Sequence, residues 1–221
     1  MKRRIFKYCA ITLMLLLALG TAACGQSEET TSDYNPDYLV LVNKDNLISE
    51  DFIDTVQLCD IDTVYDETNK IEEATKKAFE SLQSYLKDEG VEIGVDSVYR
   101  SIQDQQDVMD EFIEKYGEDY AKKTVAIPGT SEHHTGLAVD LVPKVNGEWV
   151  IENEDMMKET EIFEKIHAAL PQFGFILRYP KDKASMAGFE YEPWHIRYVG
   201  KDVAQEIYEK GLTLEEYLSD K

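Results

Sequence analysis

The sequence predicts an α+β domain: a small, mainly antiparallel sheet flanked by helices. Short apolar runs with strand character recur along the chain, longer segments carry apolar residues at helical spacing, and the two kinds mix without a regular βαβ repeat. Tyr38 to Val42 is a continuous apolar run and reads as a buried strand. Ile71 to Leu86 reads as a helix, because Ala74, Ala78, Phe79, Leu82 and Leu86 share one stripe and Gly90 can end it. Val91 to Tyr99 alternates as a strand does, with Val91, Ile93, Val95 and Ser97 on one face. Ile102 to Tyr116 is a second helix, its inner stripe formed by Val108, Met109, Phe112 and Ile113. Pro128-Gly129-Thr130 is a loop, and Leu137 to Val142 is a strand with Leu137, Val139 and Leu141 facing one way and Ala138, Asp140 and Val142 the other. Phe163 to Leu170 reads as helix, Phe175 to Arg178 and Trp194 to Val199 as extended, Val203 to Lys210 as a last amphipathic helix, and Leu212 to Leu218 as the closing segment.

The 221 residues suffice for one domain with a real core. Residues 1–23 have the layout of an export signal: basic Lys2, Arg3, Arg4 and Lys7, an apolar stretch from Ile11 to Leu19, then small residues before Cys24. Lipoprotein processing, with Cys24 as the lipid-bearing first residue, is the leading expectation; ordinary signal cleavage near Cys24 and an uncleaved anchor are the alternatives. Residues 24–36 read as the lipidated cysteine and a polar tether, and 37–221 as the domain. The expected location is extracytoplasmic, on the outer face of the cell membrane through the lipid anchor. Losing four basic residues and no acid takes the formal charge from −21 to −25. That balance argues against nucleic acid as a partner, and a monomer is expected. Cys9 lies in the signal, Cys24 would be lipidated, and Cys59 is left alone as a small core residue, which excludes an internal disulfide or a thiolate metal cluster.

Two segments concentrate the chemistry: Ser131-Glu132-His133-His134-Thr135-Gly136-Leu137-Ala138-Val139-Asp140 and Glu192-Pro193-Trp194-His195. A catalytic zinc site wants three His, Asp or Glu ligands and an open position, with a carboxylate nearby to take a proton from water. His133, Asp140 and His195 can be the ligands of a Zn2+ ion and Glu192 the base. His133 and Asp140 are an odd number of residues apart, so they can share a metal only if the chain turns between them; Gly136 allows that turn. Pro193 breaks the local chain and could aim Glu192 and His195 at one point. His134 should point away from the metal, and His167, on a helix, should be exposed or structural. Trp194 would wall a substrate cleft or pack in the core. Arg178 and Arg197 would either join Arg100 in a basic cleft or pair with surface acids.

The motif Ser-x-His-x-x-Gly-x-Ala-x-Asp followed by Glu-Pro-Trp-His-x-Arg-Tyr-Val-Gly resembles that of the VanY-type D-alanyl-D-alanine carboxypeptidases, zinc metallopeptidases of the cell wall. The resemblance runs from about Leu41 to Leu218 and includes Tyr99-Arg100-Ser101 and Gly174-Phe175-Ile176-Leu177-Arg178-Tyr179-Pro180. It implies a single zinc-peptidase domain with His133, Asp140 and His195 as zinc ligands, Glu192 as the catalytic base, and Arg100, Gln105 and Ser131 lining the substrate site. Arg100 would also serve catalysis by stabilising the oxyanion. The implied reaction removes a C-terminal D-alanine from peptidoglycan stem peptides, with zinc-bound water as nucleophile. Met186-Ala187-Gly188 departs from the Ile-Thr-Gly more often seen in relatives, which bears on fine substrate preference. The competing readings are an L,D-carboxypeptidase that trims tetrapeptide stems to tripeptides, a non-catalytic wall-binding lipoprotein, and a structural zinc site.

Overall fold

The computed structural model describes residues 37–219. The expected signal, Cys24 and the tether lie outside the described residues. The elements run α1 (Glu50–Thr55), β1 (Leu58–Asp62), β2 (Thr68–Glu72), α2 (Glu73–Asp88), β3 (Ile93–Ser97), α3 (Ile102–Tyr116), α4 (Glu118–Thr124), β4 (Ala138–Val145), β5 (Glu148–Trp149), α5 (Asn153–Met156), α6 (Thr160–Ala169), β6 (Phe175–Leu177), α7 (Ala184–Ala187), β7 (His195–Tyr198), α8 (Lys201–Lys210) and α9 (Leu214–Ser219). The main sheet has the order β3-β4-β7-β6, with β5 pairing off β4, and β1 and β2 form a separate hairpin. Every strand pair is antiparallel, as the α+β reading expects.

Packing follows from the side-chain periods. Thr75, Phe79, Leu82 and Leu86 fall on one face of α2 and are fully buried. Phe79, Leu82 and Leu86 meet Phe163 and Ile166 of α6 and the sheet residues Val139, Leu141, Phe175 and Ile196 in the main core. On β6 the alternation sends Phe175 into that core, while Ile176 packs with Val199, Ile207 of α8 and Leu214 and Tyr217 of α9. Among the described residues no helix is long and apolar enough to cross a membrane. Cys59 is a half-buried free thiol against the main core.

Two local readings need correction. Tyr38 to Val42 is not a strand. Val40 N–H closes a turn onto the Asp37 carbonyl, and the Tyr38 and Val40 carbonyls accept from the Arg197 guanidinium, so the backbone groups of this run serve a turn and a side chain instead of a ladder. The helix expected from Ile71 begins at Glu73, because Thr68–Glu72 is the second strand of the hairpin and Glu72 caps the helix, accepting from Thr75 N–H at 2.7 Å.

The turn that the two metal-site segments require is present. Residues 132–135 form one turn of 3₁₀ helix, and Gly136 follows at φ 69°, the left-handed conformation. A Cβ at Gly136 would lie 2.8 Å from Leu58 Cδ2 and 3.1 Å from Glu72 N. Gly136→Ala therefore combines left-handed strain with overpacking against backbone. It is expected to cost about 2–4 kcal/mol, read as a lower midpoint in urea unfolding; an unchanged midpoint would contradict this account of the turn.

Candidate active site

His133 sits in the 3₁₀ turn with its side chain 4% exposed. Its Nδ1 donates to the Val98 carbonyl, so Nε2 carries the free lone pair. That lone pair faces Asp140 Oδ2 at 3.0 Å. Asp140 lies on β4 directly opposite His195 on β7. Its other oxygen, Oδ1, is 2.8 Å from His195 Nδ1. The two imidazole rings stand nearly perpendicular, with centroids 5.1 Å apart. One ligand atom from each of His133, Asp140 and His195 lies within 4.8 Å of the others.

These residues fit a divalent cation. Burial, and then the Arg100 charge, hold the His133 imidazole down at about 4, so it is neutral at pH 7 and aims a lone pair at a carboxylate. Two acceptors facing each other in a buried site repel unless a cation lies between them. Burial would lower His195 too, but Asp140 beside it outweighs this and raises it to about 9. Asp140, which burial alone would raise, is held well below the usual carboxylate range by the two histidines.

The other expected residues surround the same cavity, of about 190 Å3, whose wall includes Arg100, Gln105, Ser131, Glu192 and Trp194. Burial raises Glu192 to about 7. The Glu192 carbonyl accepts from His195 N–H at 3.3 Å and its own N–H donates to the Tyr179 carbonyl, which gives the tight turn that Pro193 suggests. Arg100 directly precedes α3, whose start is fixed by a capping box between Ser101 and Asp104. Its Nη2 is 3.7 Å from Asp140 Oδ2, and its Nη1 donates to Gln105 Oε1 at 2.9 Å. Gln105 spends its amide on Arg100 and the Ala126 carbonyl, so it holds the guanidinium in place. Ser131 Oγ accepts from His133 N–H, and Trp194 both lines the cavity and packs against the main core.

The sequence matches the family VanY, D-alanyl-D-alanine carboxypeptidase, over residues 68–201. A D-alanyl-D-alanine carboxypeptidase of Enterococcus faecalis is 34% identical over 219 residues, 90% of this chain and 75% of the relative. The chain belongs to the VanY D-alanyl-D-alanine carboxypeptidase family. Among solved structures, the LdcB LD-carboxypeptidase superposes with a TM-score of 0.72 at 35% identity, covering 82% of this chain and 86% of that one. The vancomycin-resistance D,D-pentapeptidase VanY, solved as a mutant in complex with Zn(II), gives a TM-score of 0.68 at 35% identity, covering 82% and 98%.

Sequence reasoning missed the support beneath this VanY-type site. Glu132 is fully buried; its Oε1 accepts from Arg178 Nε at 2.8 Å and from Arg197 Nη1 at 2.7 Å. Both guanidinium groups are fully buried, so neither makes a basic cleft; the acid they share is the buried Glu132 instead of a surface one, and Arg178 pairs in addition with the partly buried Glu215. His134 lies outside the metal cluster. It donates from Nδ1 to the Arg100 carbonyl at 2.8 Å and accepts at Nε2 from Gly129 N–H at 3.0 Å, tying the loop to the segment that carries Arg100. His167 donates from Nε2 to the Pro193 carbonyl at 2.9 Å and so braces the turn carrying Glu192. Only the position of Glu132 inside the motif hinted at any of this.

Glu132 also sets a pH limit. Burial alone would raise its carboxyl, yet Arg178 and then Arg197 hold it well below its ordinary 4.5. A depressed carboxyl adds stability that is complete above the unfolded value and lost as pH falls toward the folded one. The unfolding free energy of chelator-stripped protein is therefore expected to drop below about pH 4.5, with Asp140 contributing in the same direction. A flat profile across about pH 3 to 6 would contradict this.

Proposed function

We propose that this protein is a zinc carboxypeptidase that removes the C-terminal D-alanine from peptidoglycan stem peptides. The observation that carries the reading is the convergence of His133, Asp140 and His195 on one point in the cavity that also exposes Glu192 and Arg100. His133, Asp140 and His195 would hold the zinc. When bound, zinc supplies Lewis acidity, polarising a carbonyl and bringing the pKa of water from ~15.7 toward ~7. Glu192 takes the proton of the attacking water and passes it to the leaving amine, a role its carboxyl, raised by burial, suits. Arg100 offers donors held by Gln105, and it stabilises the oxyanion or the substrate's terminal carboxylate. Ser131 and Trp194 complete the substrate wall.

The second reading within the same apparatus is L,D-carboxypeptidase activity on tetrapeptide stems, favoured by the likeness to the LdcB LD-carboxypeptidase. The basic start, apolar stretch and Cys24 support a lipoprotein anchored on the outer face of the cell membrane, next to its polymer.

Digestion of pentapeptide and tetrapeptide stems, read by mass spectrometry, is expected to show loss of the terminal D-alanine from the pentapeptide. Cleavage of the tetrapeptide alone would favour the second reading, and cleavage of neither would overturn both. Glu192→Gln is expected to lower turnover by ~10²–10⁴-fold with zinc content unchanged; unchanged turnover would remove Glu192 from the mechanism. The acid limb of kcat/KM is expected between 4.5 and about 7, because Glu192 must be ionised to act and burial raises it while a bound cation lowers it.

A further inference from the structure

The two histidines of the cluster are held in different ways. His133 gives its Nδ1 proton to a backbone carbonyl and presents Nε2. His195 turns Nδ1 toward Asp140, and its Nε2 lies 3.5 Å from Glu132 Oε2. Both of those last atoms are buried and have no hydrogen-bond partner. A buried acceptor beside a buried ring nitrogen is costly unless a proton sits between them.

Glu132 cannot turn away to relieve this. Its Oε1 is fixed by Arg178 and Arg197. Arg178 is itself held by Glu215 at 2.9 and 2.6 Å, and Arg197 Nη2 donates to the Tyr38 and Val40 carbonyls. Two carboxylates balance two guanidinium groups in this network, so what Glu132 offers His195 is a fixed acceptor more than a net charge. Tyr179 lies against the His195 ring, with centroids 4.9 Å apart, and restricts its rotation.

We propose that Glu132 is a positioning residue: it holds the His195 proton on Nε2 and so commits Nδ1 to the metal. A metal-bound imidazole whose other nitrogen donates to a carboxylate is fixed in tautomer and orientation. The inference rests on the zinc-site reading and deepens it. The two histidines would bind through opposite nitrogens, Nε2 of His133 and Nδ1 of His195.

Glu132→Gln makes the idea sharp. The amide oxygen is drawn to the two guanidinium groups, which leaves the NH2 facing His195 Nε2. That nitrogen must then accept, the ring proton moves to Nδ1, and the ligand lone pair is lost. The test is imidazole 15N NMR of zinc-free and zinc-loaded protein, together with zinc affinity by chelator competition. Wild type is expected to show His195 protonated at Nε2 and zinc-shifted at Nδ1. Glu132→Gln is expected to weaken zinc binding roughly 10- to 100-fold, with the His195 proton on Nδ1 in the zinc-free state. Glu132→Asp, which keeps the charge but withdraws the acceptor, is expected to weaken zinc binding as well. A purely structural Glu132 would lower the melting temperature and leave tautomer and affinity unchanged, which would overturn the proposal. Zinc bound through His195 Nε2 in wild type would overturn it without any variant. Wild type that takes up no zinc would overturn the metal-site reading and this inference together.

Discussion

Asp140 of β4 stands directly opposite His195 of β7, and Ser97 of β3 pairs with Asp140 from the other side, at a break in the β3 register. Directly opposed side chains of an antiparallel pair lie close together on one face. A slip of one residue would send the aspartate or the imidazole to the other face of the sheet. The register therefore delivers two of the three proposed ligands at once. The third, His133, is delivered by the 3₁₀ turn and the left-handed Gly136, which reverse the chain just before β4. The metal cluster is thus a property of sheet pairing plus one turn, with little left to flexible loop.

Beneath that register lies a buried ionic network. Glu132 neighbours His133 in sequence, Arg178 follows β6, and Arg197 is on β7 beside His195, so the network clamps the elements that carry the ligands. Removing one partner of a buried pair leaves an uncompensated charge, at a cost of ~3–5 kcal/mol. Through the Tyr38 and Val40 carbonyls the clamp reaches the start of the described chain.

The sequence made the longer helices and the site ligands legible for physical reasons, while the short helices α1, α4, α5 and α7 went unread. α3 runs from Ile102 to Tyr116, as its stripe implies, because a long amphipathic face and a capping box agree. His133, Asp140, His195 and Glu192 stood out because histidine is scarce and the spacing demanded turns at Gly136 and Pro193. The hairpin β1–β2 was illegible: among its ten residues only Ile61, Ile71 and Glu72 are buried, too few for alternation to show. Tyr38 to Val42 looked like a strand because it is a continuous apolar run; its side chains do divide between two clusters, Tyr38 and Val40 with one and Leu39 and Leu41 with another, but two of its carbonyls accept from a distant arginine. Glu132 carried no reading of its own, since nothing local in a sequence announces two arginines arriving from 46 and 65 residues away.

Anomalous diffraction at the zinc edge, from crystals of zinc-loaded protein, tests the central claim most directly. The account predicts a single ion at ~2.0–2.2 Å from a ring nitrogen of His133, a carboxylate oxygen of Asp140 and a ring nitrogen of His195, with its remaining side open to the cavity that holds Glu192. An ion that leaves any of those three side chains unbound, or no ion between them, would contradict it.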